Sequence, residues 1–198
     1  ASCGTPPAPR PPSAERAAET DDHGELNVAG RLAAGRDFSC AILPTRRVAC
    51  WGRNHRGQIG AGTVSASVPK PSTIGDLEAV VEVTAGGDHA CARTEDGRVS
   101  CWGEDDSAVD TRESVRPSPV AFPNTFGRAR SVSAGAHHTC FVTDKNAAAC
   151  LGWGSDGQIG DGATSQRSTP RVAFGLESNV VALSAGEAHT CAITSNAK

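Results

Sequence analysis

The chain has 198 residues, a formal net charge of −3 and no run of basic residues, which argues against a nucleic-acid binder or an electrostatic membrane binder. Gly (22) and Pro (12) are frequent and there are only 3 Trp, 5 Phe and no Tyr, so any core must consist mostly of Val, Ala, Leu and Ile. No apolar run reaches the roughly 18 residues that a membrane-spanning helix needs.

Residues 1–26 form a Pro- and Ala-rich segment without apolar periodicity. Such a composition cannot bury enough surface to fold, so we expect a disordered tether. The chain contains no Met, as expected of a processed or truncated product, and it begins Ala-Ser-Cys. Bacterial lipoprotein precursors are cut just before a Cys that follows small residues. We therefore interpret Cys3 as a candidate lipidation site; the alternative is an ordinary terminus with an incidental cysteine.

Residues 27–198 form a repeat array with a period close to 50 residues, and its units open near residues 28, 79, 128 and 179. Four related segments, LAAGRDFSC, VTAGGDHAC, VSAGAHHTC and LSAGEAHTC, end at Cys40, Cys91, Cys140 and Cys191. The first and third units later contain GQIGAG (57–62) and GQIGDG (157–162), whereas the second has the acidic stretch EDDSAVDTRES (104–114). The glycines of the GQIG segments are expected in tight turns with positive φ.

Each unit predicts short β-strands. The segments AVVEVTA (79–85) and NVVALSA (179–185) are β-branched and apolar, and HACART and RVSCWG flank Asp96-Gly97, a good hairpin turn. The equivalent turns centre on Thr45, Lys145 and Asn196. No segment of ten or more residues has helical periodicity. Repeated β-units of this period are typical of propeller blades.

These residues together resemble the regulator of chromosome condensation repeat family, whose repeats combine a small-Ala-Gly start, His-Thr, an Asp-Gly-type hairpin, Trp-Gly and a GQLG-G segment. The resemblance covers about residues 27–198, and the second unit departs from it after Gly103. It implies an all-β fold, a β-propeller of four-stranded antiparallel blades that is seven-bladed in the family. This chain would hold about three and a half units. Because an open arc exposes apolar blade faces, we expect the working protein to be a complete ring, formed by further repeats or, less favourably, by self-association of two arcs.

The spacing of the cysteines fits hairpin bridges. Opposed residues of an antiparallel hairpin point to the same face, and if Thr94 opposes Arg98, then Cys91 opposes Cys101. The same ten-residue spacing in the other units predicts three disulfides: Cys40–Cys50, Cys91–Cys101 and Cys140–Cys150. Persistent disulfides would place the chain in an oxidising compartment. Two alternatives stay open, namely buried free thiols and zinc bound with the His two residues before the first Cys. Zinc is disfavoured because a CxxC spacing is missing.

Other residues recur at one position of the unit and are expected to be structural. One histidine per unit precedes the Cys by two residues, and in the family it pins neighbouring backbone: His89, His138 and His189. The strand that ends in Trp-Gly supplies blade-packing residues: Trp51, Gly52, Trp102 and Gly103. The Trp are too few and too regularly placed for tryptophan-based light sensing, which one plant member of this fold performs.

The acidic stretch 104–114 is the most unit-specific segment. Binding usually resides in variable loops on a rigid scaffold, so its polar residues are candidates for partner contact: Glu104, Asp105, Asp106, Asp110 and Arg112. Their spacing matches no calcium loop, and we expect no metal. No GxSxG, HExxH or phosphate loop is present, so we expect neither a catalytic site nor a cofactor.

The hypothesis that follows is a non-enzymatic scaffold of the bacterial cell envelope, lipid-anchored or secreted, that binds a protein partner through its blade loops. No nucleic acid is expected, and membrane contact would occur only through lipid on Cys3. The resemblance suggests two alternatives. One is a secreted enzyme-inhibitor-type propeller. The less favoured one is a guanine-nucleotide exchange factor, a cytosolic or nuclear activity that disulfides argue against.

Overall fold

The computed structural model describes residues 31–104, 115–122 and 127–195, and all regular structure in these ranges is β. These ranges contain no helix that is long and apolar enough to cross a membrane. The strands, in chain order, are β1 (Leu32–Ala34), β2 (Phe38–Ile42), β3 (Val48–Arg53), β4 (Ser67–Thr73), β5 (Val80–Ala85), β6 (His89–Thr94), β7 (Val99–Glu104), β8 (Val115–Ala121), β9 (Ala129–Ala134), β10 (His138–Thr143), β11 (Ala148–Gly152), β12 (Arg167–Val172), β13 (Val180–Ala185) and β14 (Thr190–Thr194).

The strands form four separate antiparallel sheets that follow the repeat. Blade 1 consists of β1–β4, blade 2 of β5–β8 and blade 3 of β9–β12, each in sequential strand order, and β13–β14 form a two-stranded half-blade 4. The predicted all-β architecture of four-stranded antiparallel blades is confirmed. The hairpin turns at Thr45, Asp96 and Lys145 lie where the sequence predicts them, whereas the turn predicted at Asn196 lies outside the described residues.

The second and third strands of each blade pair in the register that the cysteine spacing predicts. Thr94 N donates to Arg98 O at 2.9 Å, so Thr94 and Arg98 form a hydrogen-bonded pair. Hydrogen-bonded and non-hydrogen-bonded pairs alternate along the ladder, and Cys91 and Cys101 lie three pairs further on, at a non-hydrogen-bonded position. Such positions bring opposed Cα atoms closest, and the two Cα atoms lie 4.1 Å apart. A ten-residue spacing around this hairpin therefore aligns the two sulfur atoms for a bridge.

The Trp-Gly motif marks a bulge between the third and fourth strands. Cys50 pairs with Ser72 but Gly52 pairs with Val68, so three residues of β4 (69–71) lie opposite the single Trp51. Blades 2 and 3 repeat this bulge at 117–119 and 168–170. Gly52 has a φ of 114°, and a Cβ there would lie 2.6 Å from the Asp37 carbonyl oxygen, so only glycine fits.

Proline occupies the bulge in the fourth strand of each of blades 1–3. Because proline has no N–H to give to a ladder, it is tolerated in edge strands and bulges but not in central strands. The prolines of these bulges are Pro69, Pro71, Pro117, Pro119 and Pro170.

The hydrophobic core consists of layers between successive blades. Between blades 1 and 2, Ile59 and Ile74 pack with Val80, Val83 and Trp102. The layer between blades 2 and 3 contains Val99, Ala129, Val132, Phe141 and Leu151, and the last layer contains Val142, Ile159, Val180 and Leu183. Each blade is therefore stabilised mainly by its neighbours.

Backbone hydrogen bonds repeat across these layers. In each layer a backbone carbonyl of one blade's hairpin turn accepts from the N–H of the first residue in the next blade's first strand. These bonds are Val80 N to Arg46 O (3.0 Å), Ala129 N to Gly97 O (2.8 Å) and Val180 N to Asn146 O (2.9 Å). These bonds fix each blade relative to the next one.

The GQIG segment of blade 1 is held in the layer between blades 1 and 2 by a buried asparagine. The Asn54 amide donates to Thr63 O and Ser65 Oγ at 3.0 and 3.1 Å, and its Oδ1 accepts from Ile59 N at 3.1 Å. Gln58 O in turn accepts from the buried Trp102 indole N–H at 2.9 Å. Gly57 and Gly60 have positive φ, as predicted.

Candidate functional site

The loops that could contact a partner lie together at one end of the blades. Strands alternate in direction, so each first-to-second and third-to-fourth connection lies at the end opposite the hairpin turns. We call this end the loop face; its described connections are 35–37, 54–66, 86–88, 135–137, 153–166 and 186–189. Backbone bonds such as Gly87 N to Ala136 O (3.1 Å) join neighbouring connections.

Asp88 links blades 1 and 2 on the loop face. Its carboxylate accepts from Gln58 Nε2 at 2.8 Å and from Arg36 Nη1 at 3.4 Å, and its side chain is largely buried. The buried Gln58 belongs to the GQIG segment. This segment therefore contributes a polar interblade contact as well as the turn glycines that the sequence predicts.

Glu104, a predicted binding residue, contacts both neighbouring blades. It ends β7, and its carboxylate lies 3.5 Å from Arg56 Nε of blade 1 and 3.9 Å from His137 Nδ1 of blade 3. The chain therefore leaves β7 from an anchored point on the loop face. The remaining predicted binding residues, Asp105, Asp106, Asp110 and Arg112, lie outside the described residues.

The repeated histidines bond to the next blade. His89 Nε2 shares a hydrogen bond of 2.9 Å with Thr139 Oγ1, and His138 Nε2 makes the same bond to Thr190 Oγ1. The sequence singles out the histidines but not their partners, although a hydroxyl recurs directly after the histidine in the third and fourth units. In the first interface Phe38 and Ala90 replace the pair and share one apolar cluster.

The Ala-Gly pair before each histidine makes room for the ring. A Cβ at Gly135 would overlap the His138 ring, and a Cβ at Gly86 would crowd His89. The invariant glycine of the motif is thus required by close approach of the imidazole.

His138 is held neutral. The Thr190 hydroxyl donates its proton to Gln158 O at 2.9 Å, so Thr190 Oγ1 accepts from His138 Nε2–H. Nδ1 then lacks a proton and has no partner within the described ranges. Burial, followed by the charges of His189 and His137, lowers the pKa of His138 from 6.5 to about 4. Between these values the unfolded chain binds the extra proton, so the free energy of unfolding falls as the pH drops from 6.5 to 4.

The three disulfides predicted from spacing are present: Cys40–Cys50, Cys91–Cys101 and Cys140–Cys150. The sulfur atoms are bonded to each other, so neither free thiols nor zinc thiolates account for the spacing. Within the described ranges Cys191 is the cysteine without a bridge, and it is exposed. Cys3 lies outside these ranges.

Each bridge also faces the next blade. Cys91 and Cys101 belong to the buried cluster that contains Val132 and Leu151 of blade 3, and Cys91 Sγ lies 3.8 Å from Thr139 Oγ1. Cys140 Sγ lies 3.5 Å from Thr190 Oγ1 in the next layer. The bridges are therefore part of the interblade packing, which the spacing alone does not reveal.

The remaining predicted structural residues differ in burial. Trp102 is buried, whereas the equivalent Trp51 of blade 1 is only half-buried. His89 and His138 are buried, whereas the equivalent His189 in half-blade 4 is exposed. The Trp-Gly position is thus less buried in the first described blade, and the histidine position is less buried in the last one.

Comparisons with known proteins agree with this architecture. Two sequence models described as "Regulator of chromosome condensation (RCC1) repeat" match residues 31–58 and 80–107, and residues 47–93 and 150–193. The ultraviolet-B receptor UVR8 of Arabidopsis thaliana is 31% identical over 85% of this chain, which corresponds to 39% of the receptor.

Two solved structures share the fold. Prp20p of Saccharomyces cerevisiae, studied for its binding to Gsp1p and histones, has a TM-score of 0.71 at 22% identity, covering 81% of this chain and 42% of Prp20p. The ectodomain of the Physcomitrella patens receptor kinase CR4 has a TM-score of 0.53 at 26% identity, covering 83% of this chain and 38% of the ectodomain. The chain thus spans less than half the length of each of these relatives. With the blade topology and the repeat matches together, the chain belongs to the regulator of chromosome condensation (RCC1) repeat family.

Proposed function

We propose that this protein is a non-enzymatic scaffold of the bacterial cell envelope that binds a protein partner through its loop face. The observation that carries the proposal is the set of three disulfides buried between blades. Disulfides persist in oxidising compartments and are rare in the cytosol. A blade array whose packing includes oxidised cysteines therefore suits an envelope or secreted protein.

One relative is consistent with the envelope part of the proposal, and another shows that this fold can bind proteins. Prp20p is a member of this fold that binds proteins, namely Gsp1p and histones. The CR4 domain is the ectodomain of a receptor kinase, so a related array faces the outside of a cell. In this chain the interblade contacts of Asp88 and Glu104 hold the described loop connections on a rigid base, as binding loops require.

Lipid on Cys3 would connect the array to the membrane through the tether 1–26. Metabolic labelling of the bacterial host with an alkyne-tagged fatty acid tests this part. We expect label on the wild-type chain and none on Cys3→Ala, with both chains oxidised at the six hairpin cysteines. Unlabelled wild-type chain would refute the anchor, and reduced cysteines in a cytosolic fraction would refute the compartment.

Site-specific photo-cross-linking tests the binding surface. His55 is exposed on the loop face, and Lys145 is exposed on the opposite, hairpin-turn face, so the two positions form a matched pair. A photo-reactive residue at 55 should cross-link to an envelope protein in intact cells, and one at 145 should not. Equal yields from both faces would contradict the loop-face assignment.

The identity of the cross-linked protein separates the alternatives. A secreted enzyme captured from the loop face, and inhibited by the purified chain, would favour the inhibitor-type propeller. A guanine-nucleotide exchange factor requires a cytosolic or nuclear GTPase, and in those reducing compartments the hairpin cysteines would stay reduced. Finding six free hairpin thiols in freshly isolated protein would therefore favour that alternative. The likeness to Prp20p, at 22% identity, concerns the fold alone.

A further inference from the structure

All three disulfides lie on the side of their blade that faces the following blade. In each layer the bridge shares a hydrophobic cluster with a residue from the first strand of the following blade: Val83 lies with Cys40 and Cys50, Val132 with Cys91 and Cys101, and Leu183 with Cys140 and Cys150. The second strand of the following blade contributes as well: Ala92 lies with Cys40 and Cys50, Phe141 with Cys91 and Cys101, and Thr190 Oγ1 lies 3.5 Å from Cys140 Sγ. Each bridge is therefore covered by the first two strands of the next blade.

This packing leaves almost no part of the bridging cysteines accessible. Five of the six are at most 1% exposed, and the sixth, Cys101, is 9% exposed. A reducing thiolate must contact one sulfur atom of a disulfide before it can displace the other, and an oxidant must likewise reach the thiols that it bridges. The docked blades therefore shield the bridges from thiols and disulfides in solution.

The strands that cover each bridge come later in the chain than the bridge itself. Cys40 and Cys50 precede the covering strands β5 and β6, and the cysteines of blades 2 and 3 precede β9–β10 and β13–β14 in the same way. Chains are synthesised from the N-terminus, so each cysteine pair and its hairpin are complete before the strands that will cover them exist. The cysteines of each hairpin are therefore accessible to an oxidant before the next blade docks, and buried afterwards.

We propose that each hairpin disulfide is formed and reduced only while the following blade is undocked. The reaction that supplies the oxidised chain is then a thiol–disulfide exchange that acts on nascent or unfolded chain, before the blades stack. In each exchange two cysteine thiols pass two electrons and two protons to a disulfide oxidant, which leaves as two thiols. Once the blades are stacked, external thiols reduce a bridge no faster than its layer opens. This inference is independent of the proposed loop-face function.

Reduction of the native 198-residue chain by dithiothreitol tests the proposal for each bridge separately. Free thiols are first blocked with N-ethylmaleimide, and timed samples are alkylated with iodoacetamide and mapped by mass spectrometry. One dithiothreitol thiolate attacks a bridging sulfur, its second thiol closes the oxidised ring, and both cysteines are released as thiols. Each bridge should be reduced at least about 100-fold more slowly in the native chain than in concentrated urea. A smaller ratio would overturn the proposal.

Paired cavity variants identify the blade that covers each bridge. Val83→Ala loosens the layer between blades 1 and 2, and Val132→Ala loosens the layer between blades 2 and 3, since these valines are 3% and 5% exposed. Val132→Ala should accelerate the reduction of Cys91–Cys101 by about tenfold or more and that of Cys40–Cys50 much less, and Val83→Ala should do the reverse. Val120→Ala is the control: this valine is 42% exposed on the outer strand β8, so neither rate should change.

The pattern of accelerated bridges decides the outcome. If each cavity variant accelerates all three bridges equally, the bridges become accessible only when the whole array unfolds, and the layer-specific proposal is overturned. A variant that accelerates no bridge would overturn it as well, because the blade it loosens would not control access. Circular dichroism before dithiothreitol is added verifies that each variant is folded, and the comparison of native wild type with urea needs no variant.

Discussion

Removal of one hairpin disulfide should destabilise the array through two separate effects. Cys91→Ala combined with Cys101→Ala opens a loop whose ends are 10 residues apart. The chain-entropy relation assigns about 2.7 kcal/mol to such a loop. The two substitutions also remove buried sulfur atoms from the layer that contains Val132 and Leu151, at about 1 kcal/mol each. We expect the free energy of unfolding to fall by about 4–5 kcal/mol.

Urea denaturation at pH 7 measures this loss, monitored by circular dichroism and by tryptophan fluorescence. Cys191→Ala is the matched control because its thiol is exposed and unbridged, and it should change stability by less than about 0.5 kcal/mol. A loss below 1 kcal/mol for the double variant would refute the expectation. The interblade part is isolated by adding Leu151→Ala: the effects should be non-additive by more than about 0.5 kcal/mol. Strict additivity would show that the disulfide stabilises only its own hairpin and not the contact with blade 3.

Three further outcomes are expected. Lowering the pH from 6.5 to 4 should cost the wild type up to about 3 kcal/mol through His138, and urea melts of His138→Gln should show a smaller loss; equal losses would contradict the assignment. Thr139→Val should destabilise by about 1–3 kcal/mol because the hydrogen bond between His89 and Thr139 is lost, whereas Thr139→Ser should be nearly neutral in the same melts. Gly52→Ala should cost more than about 1 kcal/mol because φ is 114°, while Gly75→Ala, where a Cβ meets open space, should stay within about 0.5 kcal/mol; similar melting temperatures would contradict this.

Contacts that are local in sequence could be predicted from it. The Cys91–Cys101 bridge follows from one turn at Asp96-Gly97 and the alternation of side chains along two strands, so ten residues suffice to define it. The same holds for the blade hairpins, because repetition allowed each unit to serve as a check on the others.

Contacts between units could not be predicted in the same way. The pairing of His89 with Thr139 joins residues 50 positions apart and depends on how one sheet packs against the next. The first interface has Phe38 and Ala90 in place of this pair. Because both members change together, the substitution could have indicated that the two repeat positions are in contact. Glu104 appeared as a loop residue because the sequence does not show the arginine of blade 1 that lies beside it.

The prolines in the outermost strands have a consequence for behaviour at high concentration. An exposed strand edge with a continuous row of N–H and C=O groups can recruit strands from other molecules and seed cross-β aggregates. Pro69 and Pro71 interrupt that row in blade 1, and Pro117 and Pro119 do so in blade 2. The outer edges of blades 1 and 2 are thereby protected against sheet extension, so copies crowded against these edges would meet through side chains rather than through backbone pairing.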